Sequence, residues 1–194
     1  MAATFDINML CNKMLGIEMI DELLKRYDVR IKFVHSIDNW QWGNENDLDS
    51  LNQVKSVLDS GKIVVVQLEK ASVKDLGIYI EKVSHFYLYT LWINTDGYQM
   101  LDCDRVTSEN SGFYEKIYHD IAQIEKRNEG TFDAVGIGLE TDFYYNQDLE
   151  QTVKDSRNVI AWLIKNNIRD IGLETIYKEK LIEGLKMTIF ERSD

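Results

Sequence analysis

Residues Gly77–Asp104, GIYIEKVSHFYLYTLWINTDGYQMLDCD, decide how the chain is read. From His85 onward, alternate positions sort into two sets. One is His85, Tyr87, Tyr89, Leu91 and Ile93; the other is Phe86, Leu88, Thr90 and Trp92. Both are rich in aromatic, β-branched or large apolar side chains. A strand with one wet face alternates apolar with polar, so a strand apolar on both sides is covered on both. Asp96-Gly97 supplies the pair that a tight reversal needs, and Tyr98 to Leu101 is expected to return as the partner strand. The segment therefore reads as a central aromatic antiparallel hairpin, chiefly core, against which helices pack.

Outward from it, Lys62 to Leu68 (KIVVVQL) is an apolar β-branched run expected as a buried strand. Ser72 with Asp75 has the form of a capping box and predicts one helical turn before Gly77. Val29 to Val34 sets Val29, Ile31 and Phe33 against Arg30 and Lys32, the pattern of a strand with one wet face. Asn46 or Asp47 is placed to cap a helix with a stripe of Leu48, Leu51, Val54 and Leu58, ended by Ser60-Gly61. Ile7 to Tyr27 reads as a helix through Met9, Leu10, Met14, Ile17, Ile20, Leu23 and Leu24.

Downstream, Ser111 to Ile124 is amphipathic, with Phe113, Ile117, Ile121 and Ile124 on one face. Phe132 to Leu139 (FDAVGIGL) is a short apolar strand. Asp148 to Lys165 reads as a helix burying Leu149, Val153, Ile160 and Ile164, stopped at Asn166-Asn167. A last helix from Asp170 carries Ile176, Leu181, Leu185 and Ile189, although LKMTIF also alternates as a strand would. The order α-β-α-β-β-β-α-β-α-α predicts an α+β fold. It is expected as a single domain over 1–194, a mixed sheet with the hairpin at its centre and a C-terminal helical pair over 148–190 packing on the sheet.

Composition bounds the function. At 194 residues with 44% hydrophobic content, the chain can bury a sizeable core and disorder is disfavoured. The start, MAATFDINML, lacks the basic-then-apolar pattern of a secretory signal, and no run reaches the roughly 18 apolar residues of a membrane span. Cys11 and Cys103 lie far apart and are expected as reduced thiols, which makes the cytoplasm the expected compartment. Proline is absent while isoleucine, asparagine and lysine are plentiful, a skew of A/T-rich codons that points to a bacterial or viral source. The net charge of −11 repels phosphate backbones, disfavours direct nucleic-acid binding and steers basic partners inward.

Motifs that would carry a reaction are missing. Glu115 and His119 stand i, i+4 but read as a solvated helical pair, and no HExxH or CxxC element occurs. Asp102-Cys103-Asp104 has the spacing that some nucleotide-sugar transferases use for a divalent cation, yet reads better as a polar strand end. The same carboxylates would keep the Cys103 thiol protonated, against use as a nucleophile. Gly136 and Gly138 are too few for a phosphate loop and suit close packing of a helix. Ser108 and Ser111 lack a GxSxG context. No catalytic residue, metal ligand or cofactor is assigned.

Two loops combine acid with aromatic. One, Asp38 to Asp49, offers Trp40 and Trp42 with Glu45, Asp47 and Asp49; the other, Glu140 to Glu150, offers Glu140, Asp142, Phe143, Tyr144, Tyr145, Asp148 and Glu150. Aromatic anchors give contact area at small entropic cost and carboxylates give orientation, a combination suited to a basic protein. The expected function is thus a non-enzymatic acidic protein-binding domain, of the kind an immunity or antitoxin-like inhibitor uses against a toxin. The alternative is a small-molecule sensor or enzyme with an aromatic pocket over the hairpin, lined by Tyr87, Tyr89 and Trp92. A subunit of a homo-oligomer is a third reading.

Overall fold

The structure, a computed structural model, describes residues 3–48, 53–73, 75–96, 98–128, 130–145, 148–165, 173, 176–181 and 186–192. Among these, ten strands form one sheet. They are β1 (Thr4–Cys11), β2 (Arg30–Ile37), β3 (Asn46–Asp47), β4 (Ile63–Glu69), β5 (Leu76–Val83), β6 (Phe86–Asn94), β7 (Phe132–Asp142), β8 (Arg157–Lys165), β9 (Lys178–Lys180) and β10 (Met187–Glu191). Their order across the sheet is β3-β2-β4-β5-β6-β1-β7-β8-β10-β9, and every pairing is antiparallel. The helices are α1 (Ile17–Lys25), α2 (Val54–Asp59), α3 (Ser111–Arg127) and α4 (Leu149–Asp155). This overturns the α+β expectation. The fold is dominated by one large antiparallel sheet, not a mixed sheet balanced by helices.

Two local corrections account for the change. The stretch expected as one helix from Ile7 to Tyr27 is strand β1 followed by α1. Its apolar spacing fits a strand as well, because Phe5, Ile7, Met9 and Cys11 share one side while Asp6 and Asn8 share the other. The expected C-terminal helical pair is α4 followed by strands β8, β9 and β10. In β8 the run VIAWLI, Val159 to Ile164, is buried throughout, and a fully buried strand has no period that separates it from a buried helix. The stop at Asn166-Asn167 and the helix start at Asp170 lie outside the described residues, as does Leu185.

The hairpin is also displaced. Its strands are β5 and β6, in register from Leu76↔Ile93 to Val83↔Phe86, so the reversal falls at Ser84-His85 with Ser84 at φ 59°. Tyr98 to Leu101 is no strand; Gln99–Leu101 is a single 3₁₀ turn, and β6 takes β1 as its other neighbour. Likewise Asn46 and Asp47 pair with Ser36 and His35 as β3 instead of capping a helix, and α2 begins at Val54; Leu51 lies outside the described residues. Ser72 and Asp75 open no helix: Lys70 and Val73 close a tight turn before β5.

One sheet face carries the main core. Phe5, Ile7, Val66, Ile78, Ile80, Tyr89, Val135, Ile137 and Leu163 pack there beneath Ile20 and Leu24 of α1, Val54 and Leu58 of α2, and Tyr114, Ile117, Tyr118, Ile121 and Ile124 of α3. The buried Tyr89 hydroxyl accepts from the Leu15 amide (2.9 Å) and donates to its carbonyl (3.1 Å), holding the chain just before α1. The opposite face holds two smaller apolar clusters. One joins Ala134, Val159, Trp162 and Ile164 to Val153 of α4; the other is Ile37, Ile63 and Val65.

Gly138 shows how tightly β7 and β8 approach. A Cβ there would stand 2.0 Å from the Asn158 carbonyl oxygen, at a position where the ladder register shifts. Backbone cannot retreat as a side chain can, so Gly138→Ala should destabilise the fold by about 3 kcal/mol or more, beyond ordinary overpacking. Urea denaturation measures it; an unchanged midpoint would contradict this packing.

Candidate functional site

Among the described residues, no long helix lies over the sheet face away from α3. Its central residues follow from the register: Tyr79 stands opposite Thr90, Gly77 opposite Trp92, Trp92 opposite Asp6, Thr90 opposite Asn8, and Asn8 opposite Gly136. Tyr79 and Trp92 stack with centroids 5.9 Å apart, across the gap left by Gly77, where a Cβ would press on the Trp92 ring at 2.7 Å. Trp92 Nε1 is buried and finds no hydrogen-bond partner among the described residues.

Beside the aromatic pair runs a polar chain. Thr90 donates to Asn8 (2.8 Å), Asn8 donates to the Thr141 hydroxyl (2.6 Å), and the Thr141 hydroxyl and amide donate to Asp6 (3.1 and 2.8 Å). Burial lifts the Asp6 carboxyl from 3.8 to about 6, against the lowering effect of its Thr141 bonds. Burial also raises Tyr79, and the nearby Asp6 charge adds to that rise.

Both acidic-aromatic loops fold over this face. From the β2 side, Trp40 meets Tyr79 edge-on at 5.0 Å and donates Nε1 to Glu81 (3.2 Å). Burial raises the Glu81 carboxyl, opposed by that bond. Trp42 lies 6.5 Å from Tyr79 and 5.9 Å from His35, and Phe33 flanks His35 at 5.4 Å. Asp38 anchors the loop through Lys62 (2.8 Å) and Asn44 (2.6 Å), which hold its carboxyl below the usual range. From the β7 side, Phe143 lies against Trp162 (5.7 Å) and over Gly136, and Tyr145 meets Phe86 edge-on at 5.4 Å. The glycine of β7 thus receives an aromatic ring, not the helix expected from sequence.

The residues assigned from sequence separate clearly. Trp40 and Trp42 are 48% and 47% exposed and Tyr144 59%, while Tyr145 is half-buried. Glu45, Asp47, Glu140 and Asp142 are exposed at the two margins. Asp148 is exposed too, but its carboxylate accepts from the Glu150 amide (3.0 Å) as the N-cap of α4. Asp49 lies outside the described residues. Tyr87, Tyr89 and Trp92 do not line one pocket: Tyr89 is buried on the helix side with Tyr87 two residues away, and Trp92 faces the opposite side. An odd spacing between 89 and 92 places them on different faces of a strand. Sequence reading missed Asp6, Asn8, Tyr79 and Glu81; the alternation of Asp6 and Asn8 with Phe5, Ile7 and Met9 was the available signal.

The helix-covered face holds a different feature. Between β1, β6 and α3 lies a cavity of about 310 Å³, walled by Ile7, Met9, Leu91, Phe113, Ile117 and Ile121. Lys70, Lys116, Asp120, Tyr27 and Tyr98 also contribute to its lining.

Other sequence candidates are dispersed. Glu115 pairs with Lys180 (3.2 Å) and His119 approaches Gln123 (3.4 Å). Asp104 pairs with Arg105 (3.0 Å). Among the described residues no group of three or more His, Cys, Asp or Glu is placed to hold a metal ion, and no helix is long and apolar enough to cross a membrane. No family model, curated protein or solved structure matches the chain.

Asp6 makes the face pH-sensitive. Its folded pKa lies above the unfolded value, so the protonated form stabilises the fold below about pH 4, and that contribution is lost as pH rises through about 6. The difference is on the order of 3 kcal/mol. Asp6→Asn should flatten the stability profile across this window and leave the variant more stable than wild type at pH 8, measured by urea midpoints.

Proposed function

We propose that the chain is a non-enzymatic binding protein that docks a basic protein partner on the open face of its sheet. The carrying observation is that the two acidic-aromatic loops, about a hundred residues apart in sequence, lie over the same face and frame Tyr79 and Trp92 between them. Half-exposed tryptophans and tyrosines rimmed by Glu45, Asp47, Glu140 and Asp142 combine anchors with a steering charge. The overall charge of −11 extends that field.

Backbone strain supports the same reading. Trp42 sits at φ 58° and Glu140 at φ 47°, the left-handed region that bulky side chains avoid. Such positions cost about 1–3 kcal/mol each and gather where a loop must present a side chain in one orientation. An inhibitor of immunity or antitoxin type, seated over the cationic site of a toxin, would use this face in this way.

The test is affinity capture of the tagged protein from its own organism at low and high salt, in parallel with Trp40→Ala/Trp42→Ala and Glu140→Gln/Asp142→Asn. Both tryptophans are half in water, so the paired variant should remain folded. A basic protein retained by wild type at low salt should be lost at high salt. The carboxylate variant should slow its association and the tryptophan variant should weaken it by about a hundredfold or more. A captured set that neither variant changes would overturn the assignment.

A further inference from the structure

The 310 Å³ cavity under α3 lies on the opposite face from the docking surface, so what it holds is a separate question. Its walls are apolar, yet Met9, Leu91 and Ile93 keep accessible surface although they sit on the two central strands beneath the helices. That accessibility comes through an opening to solvent. An apolar body therefore has a way in.

The polar groups of the cavity specify the other end of a ligand. Lys70 donates to the Tyr27 carbonyl (2.8 Å), and Lys116 lies over the Tyr27 ring at 4.0 Å. Two ammonium groups thus flank one residue of the cavity wall. Each ammonium carries three donors, so both retain hydrogen-bonding capacity beyond these contacts. Asp120, one turn after Lys116 on α3, presents a buried carboxylate oxygen with no partner among the described residues. Burial raises its pKa, and the Arg26 charge opposes that rise. In a chain of strong negative charge, two lysines over an apolar cavity are a local reversal of sign.

Volume sets the length. An apolar cavity of roughly 150 Å³ takes benzene, with six carbons, so twice that space suits about 10–12. We propose that this cavity binds a single-chain amphiphile with a carboxylate head, its chain between β1, β6 and α3 and its head between Lys70 and Lys116. The shared chemistry is a free alkyl carboxylate; an acyl chain esterified in a lipid lacks the free head and is a separate source.

Sodium dodecanoate, titrated into the full chain below its micelle concentration and followed by calorimetry, is the direct probe. Saturation at one per chain is expected, with a rise in Tm. Lys70→Gln/Lys116→Gln should weaken dodecanoate by about tenfold or more while leaving dodecan-1-ol unchanged, because only the head contact is removed. Dodecyltrimethylammonium and a dodecanoyl glyceride should bind at least about tenfold more weakly than dodecanoate. Leu91→Trp, checked for folding by circular dichroism, should abolish binding of both acid and alcohol. Should that variant not fold, nuclear Overhauser contacts from the dodecanoate chain to the Leu91 and Ile117 methyls of wild type locate the ligand instead. Non-saturable uptake, lysine variants that bind as wild type, a cationic or esterified chain bound as tightly as dodecanoate, or the absence of those contacts would overturn the proposal.

Discussion

The structure depends on how much of a ten-stranded sheet its helices can cover. Ten strands spaced ~4.8 Å apart span roughly 45 Å, and a helix with its side chains covers about 10–12 Å. Each face would need about four helices. Among the described residues three, α1, α2 and α3, gather on one face with the main core, and only the seven-residue α4 lies on the other, at the β8 end. The second face is closed by loops instead. That is why Trp40, Trp42, Phe143 and Tyr145 come to lie on the sheet from both sides, and why its centre holds aromatic and polar side chains together.

The polar chain Thr90–Asn8–Thr141–Asp6 follows from the same shortage. A face so thinly covered by helix cannot be wholly apolar without exposing a large patch to water, and one without cross-strand partners could not bury a carboxylate. Here each group meets another from an adjacent strand, so Asn8 is 3% and Asp6 7% exposed without being left unpaired. The arrangement joins β6, β1 and β7 across the sheet's centre, and the raised Asp6 pKa records what remains of the burial penalty.

Those same residues explain what could be read from sequence. Apolar β-branched runs bounded by turns were legible as strands: β4 and β7 lie where they were expected, and β2 overlaps its expected span, although Phe33 is exposed and Val34 to Ile37 are buried without alternation. Legible too was α3, whose stripe of Phe113, Ile117, Ile121 and Ile124 has no competing period. The strand β1 was lost because Asp6 and Asn8 look like the polar face of a helix start when their partners at 90 and 141 are unknown. β8 was lost because WLIK inside an all-apolar run has no period to read. For the site, composition alone marked the two loops as unusual, but their meeting on one face depends on strand order. β7 lies two places from β6, with β1 between them, although the chain reaches it some forty residues later.

The two faces are joined by parity along single strands. In β1, Ile7 and Met9 wall the cavity while Asp6 and Asn8 carry the polar chain; in β6, Leu91 and Ile93 face the cavity while Thr90 and Trp92 face the loops. A side chain changed at an odd position of either strand therefore acts on the helix-covered side, and one at an even position acts on the loop-covered face. A one-residue slip in this pair would exchange the two sets entirely. The full eight-residue register between β1 and β6, from Thr4↔Asn94 to Cys11↔Tyr87, is what keeps them apart. Glycine serves the same end on the loop side: Gly77, Gly136 and Gly138 remove side chains where Trp92, Phe143 and the Asn158 backbone must come close. The two faces are thus set by register and by the absence of Cβ atoms as much as by the aromatic and charged residues they display.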